Sequence, residues 1–229
     1  MKDFIVYINE KLKITKDVLK QNKHNYYPKT KEELVTLIDK LIKERGNEAD
    51  LNDIDTSKIK NMNQLFVNYN NFNGDISRWD VSNVEDMGNM FWSSVFNGNI
   101  SNWNVSSVQN MQGMFAYSEF NRDISKWNVS SVTNMQAMFN SSKFNGDLSK
   151  WNVGKVENTQ YMFAMSDFNG QNGNLNKWNV SSVNNMEGMF FKSNFNRDIS
   201  KWNITSVKNF DNIFKDCPIK EEYKPKFNK

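Results

Sequence analysis

Basic side chains recur at one position of this 229-residue chain, immediately before a tryptophan. We call this set the basic column: Arg78, Lys126, Lys150, Lys177 and Lys201. A row of cations could bind the phosphates of RNA or DNA, another polyanion, or an acidic protein surface. The alternative is that the lysines keep an exposed surface soluble. Four nearby carboxylates would then partly neutralise them: Asp75, Asp123, Asp147 and Asp198.

Asparagines recur immediately after the same tryptophans. We call this second set the amide column: Asn104, Asn128, Asn152 and Asn179. If the tryptophan segments are parallel strands, equivalent residues lie about 4.8 Å apart in adjacent strands. The two columns would then run side by side on a concave face. The sequence therefore predicts a polar binding ladder there.

Several aromatic residues break an otherwise regular pattern. Trp92 and Phe191 directly follow a repeated phenylalanine, and Tyr117 lies one residue further on. Tyr161 stands where other units have small residues or amides, and three extra residues around Asn172 follow it. Exposed aromatics and inserted loops are typical of protein interfaces. The alternative is that the aromatic rings pack between neighbouring helix ends.

The composition argues against an enzyme. The chain has one histidine, His24, and one cysteine, Cys217, so a histidine-based triad, a multi-histidine metal site and an intrachain disulfide cannot form. No carboxylates form an evident catalytic pair. Residues 51–214 hold 13 basic and 14 acidic side chains, a net charge of −1, so the overall charge of +3 comes from the two ends. We expect no catalytic activity, no cofactor and no metal.

A repeat of about 24 residues organises these positions. Tryptophans fall at 79, 103, 127, 151, 178 and 202, and an earlier degenerate unit begins near residue 51. In one unit, Ile124, Trp127 and Val129 have the pattern of a short half-buried strand. Val132 then begins an apolar stripe through Phe139 that has helical spacing. The sequence predicts an α/β repeat solenoid, with short parallel strands on the concave side and short helices on the convex side.

The unit resembles the repeat of the BspA-like leucine-rich-repeat proteins, in a short form found in mycoplasma-type surface lipoproteins. The resemblance rests on the motif Phe-Asn-x-x-Ile-Ser-x-Trp-x-Val-Ser-x-Val-x-x-Met-x-x-Met-Phe and covers residues 51–214. It implies a right-handed, leucine-rich-repeat-like solenoid of parallel strands. It also implies a binding role without catalysis.

The two ends differ from the repeats. We predict an N-terminal helical cap over residues 1–50, a seven-repeat solenoid over 51–214, and a C-terminal cap and tail over 215–229. Within the first region, Thr30 and Glu33 form a capping box before an apolar stripe, and Gly46 ends it. This pattern predicts an amphipathic helix of about fifteen residues.

We expect a non-catalytic bacterial protein that binds a macromolecule, most simply a protein. One form of this function is an intracellular inhibitor or adaptor, such as one that blocks a bacterial defence nuclease. The alternatives are RNA, DNA or nucleoprotein binding along the basic column, and adhesion at the cell surface. The chain shows no signal peptide, lipidation cysteine or membrane span. It therefore reads as cytoplasmic, or as a surface protein if an export segment has been removed. The sequence leaves the oligomeric state open.

Overall fold

The structure is a computed structural model that describes residues 24–227. Its α-helix, α1, spans Lys31–Arg45. Thr30 accepts a hydrogen bond from the backbone N–H of Glu33 at 3.3 Å, and the N–H of Gly46 bonds to the carbonyl of Ile42 at 2.8 Å. Both predicted helix ends are therefore confirmed. Of the predicted cap over residues 1–50, the part before His24 lies outside the described residues.

After α1 the chain winds through seven stacked coils, each made by one repeat. We number them by residue: 48–71, 72–95, 96–119, 120–143, 144–167, 168–194 and 195–218. Two phenylalanine columns and one tryptophan column run through the stack, and all these side chains are buried except Phe214 at the last coil. Each buried tryptophan donates its indole N–H to a carbonyl of the preceding coil, as Trp127 does to Ile100 at 3.1 Å. The core positions predicted from the repeat are thus the observed core.

The coils are joined by a ladder of backbone hydrogen bonds along the Asn-Met-x-x-Met-Phe segments, which we call the ladder segments. In coil 4, four alternate N–H groups donate to carbonyls of coil 5 at 2.8–2.9 Å: those of Met135, Ala137, Phe139 and Ser141. Isolated parallel bridges link the first asparagine or aspartate of each segment to its equivalent: Asn61, Asp86, Asn110, Asn134, Asn158, Asn185 and Asn209.

The prediction of an α/β solenoid is wrong. The stretch from Val132 to Phe139 is a series of turns, and Ala137 has a φ of 53°, which no right-handed helix contains. Its alternate N–H groups bond to the next coil, so the stripe at helical spacing buries the same side chains without forming a helix. A helix of two turns gains little by itself, whereas the ladder satisfies the backbone and packs the core together.

The predicted strands are also absent from the described residues, which contain isolated bridges only. The cause is local side-chain bonding on both sides of the tryptophan. Asp123 accepts the N–H of Ser125 at 2.9 Å, and Asn128 accepts that of Ser130 at 3.2 Å. These Asx turns fold the tryptophan segment into a corner. Besides α1, two short 3-10 helices, Leu175–Lys177 and Glu221–Tyr223, complete a mostly irregular backbone.

The spacing of equivalent rings differs between the columns of the stack. Centroids in the phenylalanine column beside the ladder, such as Phe115 and Phe139, lie 5.3–5.8 Å apart. Trp103 and Trp127 lie 6.5 Å apart, and Trp178 and Trp202 6.4 Å. In the other phenylalanine column, equivalent rings such as Phe96 and Phe120 lie 6.1–6.4 Å apart. Equivalent rings are therefore closest beside the ladder and further apart in the other two columns.

The two ends of the stack are closed differently. Helix α1 covers coil 1: Leu34 and Leu41 are fully buried, Lys31 donates to the carbonyl of Asn63, and Tyr69 donates to Asp39 at 2.7 Å. At the other end, Phe227 stacks on Phe210 of coil 7. Among residues 24–227, no helix is long and apolar enough to cross a membrane.

Candidate functional site

Two of the predicted aromatics, Trp92 and Tyr117, form an exposed pair. Their rings meet edge to face at a centroid distance of 5.9 Å, and Val95 lies beside them in the sequence of coil 2. The exposed fractions are 42% for Trp92, 42% for Val95 and 54% for Tyr117. The ladder fixes the backbone here, because the N–H of Ser93 bonds to the carbonyl of Ala116 at 2.8 Å. Large apolar rings are therefore held in solvent by a rigid backbone.

The same edge of the stack continues to coils 5 and 6. Met165 is 46% exposed, and its N–H bonds to the carbonyl of Phe191 at 2.8 Å. Phe191 is half-buried, and the ammonium of Lys192 lies 5.2 Å from the centre of its ring. We call these residues together the aromatic edge: Trp92, Val95, Tyr117, Met165 and Phe191. Four steps of about 5 Å separate its first and last coils, so it extends over roughly 20 Å.

Val95 and Met165 were not among the residues predicted from the sequence. Met165 occupies the repeat position of Tyr117, one residue after that of Trp92 and Phe191. Aligning the coils by the ladder would have identified it, because the same position holds Ser93 and Ser141 in other coils. The signal was therefore an apolar residue where the repeat tolerates a small polar one.

Tyr161 has a different role from the other aromatics. It is half-buried, and its hydroxyl donates to a carboxylate oxygen of Glu187 at 2.6 Å. This bond raises the pKa of the Tyr161 hydroxyl and lowers that of the Glu187 carboxyl. The ring lies over Gly188, where an added Cβ would approach it to 2.2 Å. Tyr161 thus joins coil 5 to coil 6.

The inserted loop also folds back on the stack. Asn172 is exposed, and its amide nitrogen donates to the carbonyl of Asn145 in the preceding coil. Arg197 of the following coil donates to the carbonyl of Gly170 at 3.3 Å. The insertion therefore bridges coils 5 and 7.

The basic column is exposed on the tryptophan side of the stack. All five members are exposed, and no carboxylate of residues 24–227 lies within 4.0 Å of their cationic groups. The adjacent carboxylates are held by serine: the pKa of Asp123 is lowered chiefly by hydrogen bonds from Ser125, with smaller contributions from Lys126 and Lys150. The cations thus have ionised neighbours but no close ion pairs.

The side-chain oxygens of the amide column form hydrogen bonds within the fold. Each oxygen accepts the backbone N–H two residues later at 3.1–3.2 Å, from Ser106, Ser130, Gly154 and Ser181 respectively. Ladders between equivalent asparagines lie elsewhere. Asn97, for example, accepts the backbone N–H of Asn121 at 3.0 Å.

The residues that could do chemistry remain apart. Cys217 is partly buried, and its thiol donates to the carbonyl of Phe195 at 3.2 Å. Burial raises the pKa of this thiol. Within the described part of the chain, no three His, Cys, Asp or Glu side chains are grouped as metal ligands. The exposed aromatic edge and the basic column are therefore the two candidate surfaces.

Comparison with known proteins identifies the repeat. Residues 36–141, 92–174 and 165–224 match the family described as "Mycoplasma protein of unknown function, DUF285". The chain belongs to this family. The three matches together extend from within α1 to the second 3-10 helix, so the family pattern covers the whole stack. No curated protein and no solved structure matches the chain.

Proposed function

We propose that this repeat protein is a non-catalytic binding protein and that the aromatic edge contacts a folded partner protein. The exposed pair of Trp92 and Tyr117 supports this most directly. Tryptophan and tyrosine are enriched among the residues that dominate binding energy. The ladder holds the backbone of this pair in place before binding, so little backbone freedom remains to be lost.

The core does not require these rings. The position of Trp92 is filled by Ala116, Asn140 and Ala164 in three other coils, and the ladder continues through all of them. A large ring at this position is therefore an addition to the fold. Placed in solvent, it leaves apolar surface exposed, which is a feature of interaction sites.

Charges of both signs border the edge. The repeat position of Val95 holds a charged residue in the next three coils: Glu119, Lys143 and Asp167. The Nζ atom of Lys143 lies 3.6 Å from a carboxylate oxygen of Asp167. All three are exposed. A mixed polar rim around an apolar centre is typical of specific protein interfaces. This favours a protein surface over a uniformly charged polymer as the occupant.

Site-specific photo-crosslinking in the native host tests the proposal. A benzophenone amino acid replaces Val95 at the edge, and in a matched control it replaces the exposed Tyr27, which precedes α1. We expect one protein adduct with position 95 and none with position 27. Equal adducts at both positions would refute a role for the edge.

The captured partner is then used for binding measurements. A central aromatic contact contributes about 2 kcal/mol or more, so Trp92→Ala should weaken binding about 30-fold. Tyr27→Ala is the control and should leave the affinity unchanged. An unchanged affinity of Trp92→Ala would contradict the proposal.

Binding of a polyanion along the basic column is the competing outcome. Its support is the row of exposed cations without close ion pairs. It predicts RNA affinity that falls steeply with salt and is lost when Lys126, Lys150 and Lys177 are replaced by glutamate. If that triple variant loses its ligand while Trp92→Ala does not, the basic column is the functional surface.

The proposed binding function has two alternative forms, which differ in where the protein acts. Kinship with BspA-like surface proteins would make the chain an adhesin, whereas an inhibitor of a bacterial defence nuclease would act inside the cell. Protease treatment of intact cells separates them, because only a surface protein is digested. The identity of the crosslinked partner provides the second criterion.

A further inference from the structure

The ladder has a direction. In coils 2 to 6, four alternate N–H groups of each ladder segment donate to the next coil, and carbonyls of the same segment accept from the previous one. Thr159, Tyr161, Phe163 and Met165 of coil 5, for example, donate to coil 6 at 2.8–2.9 Å. These alternate donors therefore point toward the C-terminal end of the stack. Coil 7 presents the last row of donors.

The donors of this last row have no hydrogen-bond acceptor within residues 24–227. They are the backbone N–H groups of Phe210, Asn212, Phe214 and Asp216. Asn212 and Asp216 keep the positive φ values of the ladder, 55° and 58°. Coil 7 thus retains the conformation that pairs with a following segment. Unpaired backbone groups of this kind are templates for adding a strand-like segment.

Apolar side chains surround the donor row. Val207, Phe210 and Phe214 are half-buried, whereas their equivalents in coil 6, Val183, Met186 and Phe190, are fully buried.

Phe227 stacks on Phe210 at 4.4 Å and covers part of this surface. A cavity lined by Trp202, Phe214 and Phe227 remains beside it. The end of the stack is therefore only partly closed.

A second copy of the chain does not fit this end. Its own carbonyl end lies under α1, where Lys31 bonds to Asn63 and Leu34 is fully buried. Two C-terminal ends facing each other would oppose donors to donors. The occupant must bring carbonyl oxygens and apolar side chains, as each ladder segment does for the coil before it.

We propose that the C-terminal end of the stack is a second docking site, which takes an extended segment of a partner protein as an eighth ladder segment. Main-chain carbonyls of that segment would accept from the four N–H groups of coil 7. Its apolar side chains would pack on Phe210 and Phe214, in the place that Phe227 now partly occupies. This site is independent of the aromatic edge.

Amide hydrogen exchange of the full chain, read by NMR, tests the proposal. The probe is a capped peptide that copies residues 183–194, which pair with coil 5 in the stack. The four amides of coil 7 should exchange fast in the free protein and about tenfold more slowly at a peptide concentration ten times Kd. The control peptide carries Met186→Ser, Met189→Ser and Phe190→Ser and should have no effect.

Two protein variants separate the outcomes. Deletion of residues 225–229 uncovers Phe210 and should tighten peptide binding, whereas Trp92→Ala should leave it unchanged. The proposal is overturned if the four amides are already as protected as that of Met186 in the free protein. It is also overturned if the peptide slows only amides outside coil 7, or if the deletion abolishes binding. None of these results depends on whether a partner uses the aromatic edge.

Discussion

Replacing Ala137 by glycine should stabilise the protein, although glycine usually weakens regular structure. Ala137 has a φ of 53°, and a Cβ in the left-handed region costs about 1–2 kcal/mol. Ala137→Gly removes this cost and adds about 0.5–1 kcal/mol of chain entropy to the unfolded state. The expected net effect is a gain of about 0.5–1 kcal/mol in the free energy of unfolding. In the helix that the sequence predicted, the same change would cost about 1 kcal/mol.

Two matched variants control for size and position. Ala164 is fully buried, and its φ is not positive, so Ala164→Gly should destabilise the protein by about 1 kcal/mol. Gly113 occupies the position of Ala137 one coil earlier, with a φ of 60°, and an added Cβ would lie 2.2 Å from Asn89 Oδ1. Gly113→Ala should therefore destabilise by more than about 1 kcal/mol.

Urea unfolding followed by tryptophan fluorescence measures all three variants. The buried tryptophan column reports on the whole stack, and a change of 1 kcal/mol also shifts Tm by about 2–4 °C in a protein of this size. We expect a higher midpoint for Ala137→Gly and lower midpoints for the two controls. A midpoint of Ala137→Gly that falls as far as that of Ala164→Gly would refute the ladder conformation.

Three further substitutions test the core and the first end of the stack. Trp127→Phe removes the indole bond to the buried Ile100 carbonyl, and it should lower the free energy of unfolding by about 1–3 kcal/mol in urea titrations. Phe139→Ala leaves a cavity in the buried phenylalanine column and should lower the free energy of unfolding by about 3–5 kcal/mol, measured by thermal unfolding. Asp53 accepts from Arg45 at 2.9 Å, which holds the pKa of its carboxyl below the ordinary 3.8. The ionised Asp53 carboxylate therefore adds to the free energy of unfolding above pH 3.8, and this stabilisation is lost as the pH falls through the folded pKa. The urea midpoints of Asp53→Asn and the wild type should differ at about pH 7 and converge near pH 2.

The sequence was sufficient to predict which side chains form the core. The repeat predicts core positions at Ile124, Trp127, Val132 and Phe139, and all four are buried. Helix α1 was also predictable, because Thr30 and Gly46 are local signals that need no tertiary context. Periodic burial and local capping are both visible in a single sequence.

The backbone path within a coil was not predictable from the apolar pattern. A stripe at positions i, i+3, i+6 and i+7 fits a helix and a ladder of turns equally well, since both bury the same side chains. What separates them is whether the N–H groups bond within the segment or to the next coil. A signal existed in the residues that occupy the Ala137 position, which include Gly113, Gly188 and Asn89. Glycine and asparagine tolerate a positive φ, and their recurrence there indicates a left-handed position.

The same comparison separates structural from functional departures at the candidate site. The position of Tyr161 requires a positive φ in every coil, and its ring is used to cover Gly188, so this departure is explained by packing between coils. The position of Trp92 accepts alanine, asparagine or lysine in other coils, so the fold places little demand on it. A large aromatic ring kept in solvent at such a position is unexplained by packing. Constraint across the coils therefore assigns Tyr161 to the fold, and the lack of it at position 92 makes Trp92 the first residue of the aromatic edge to test for binding.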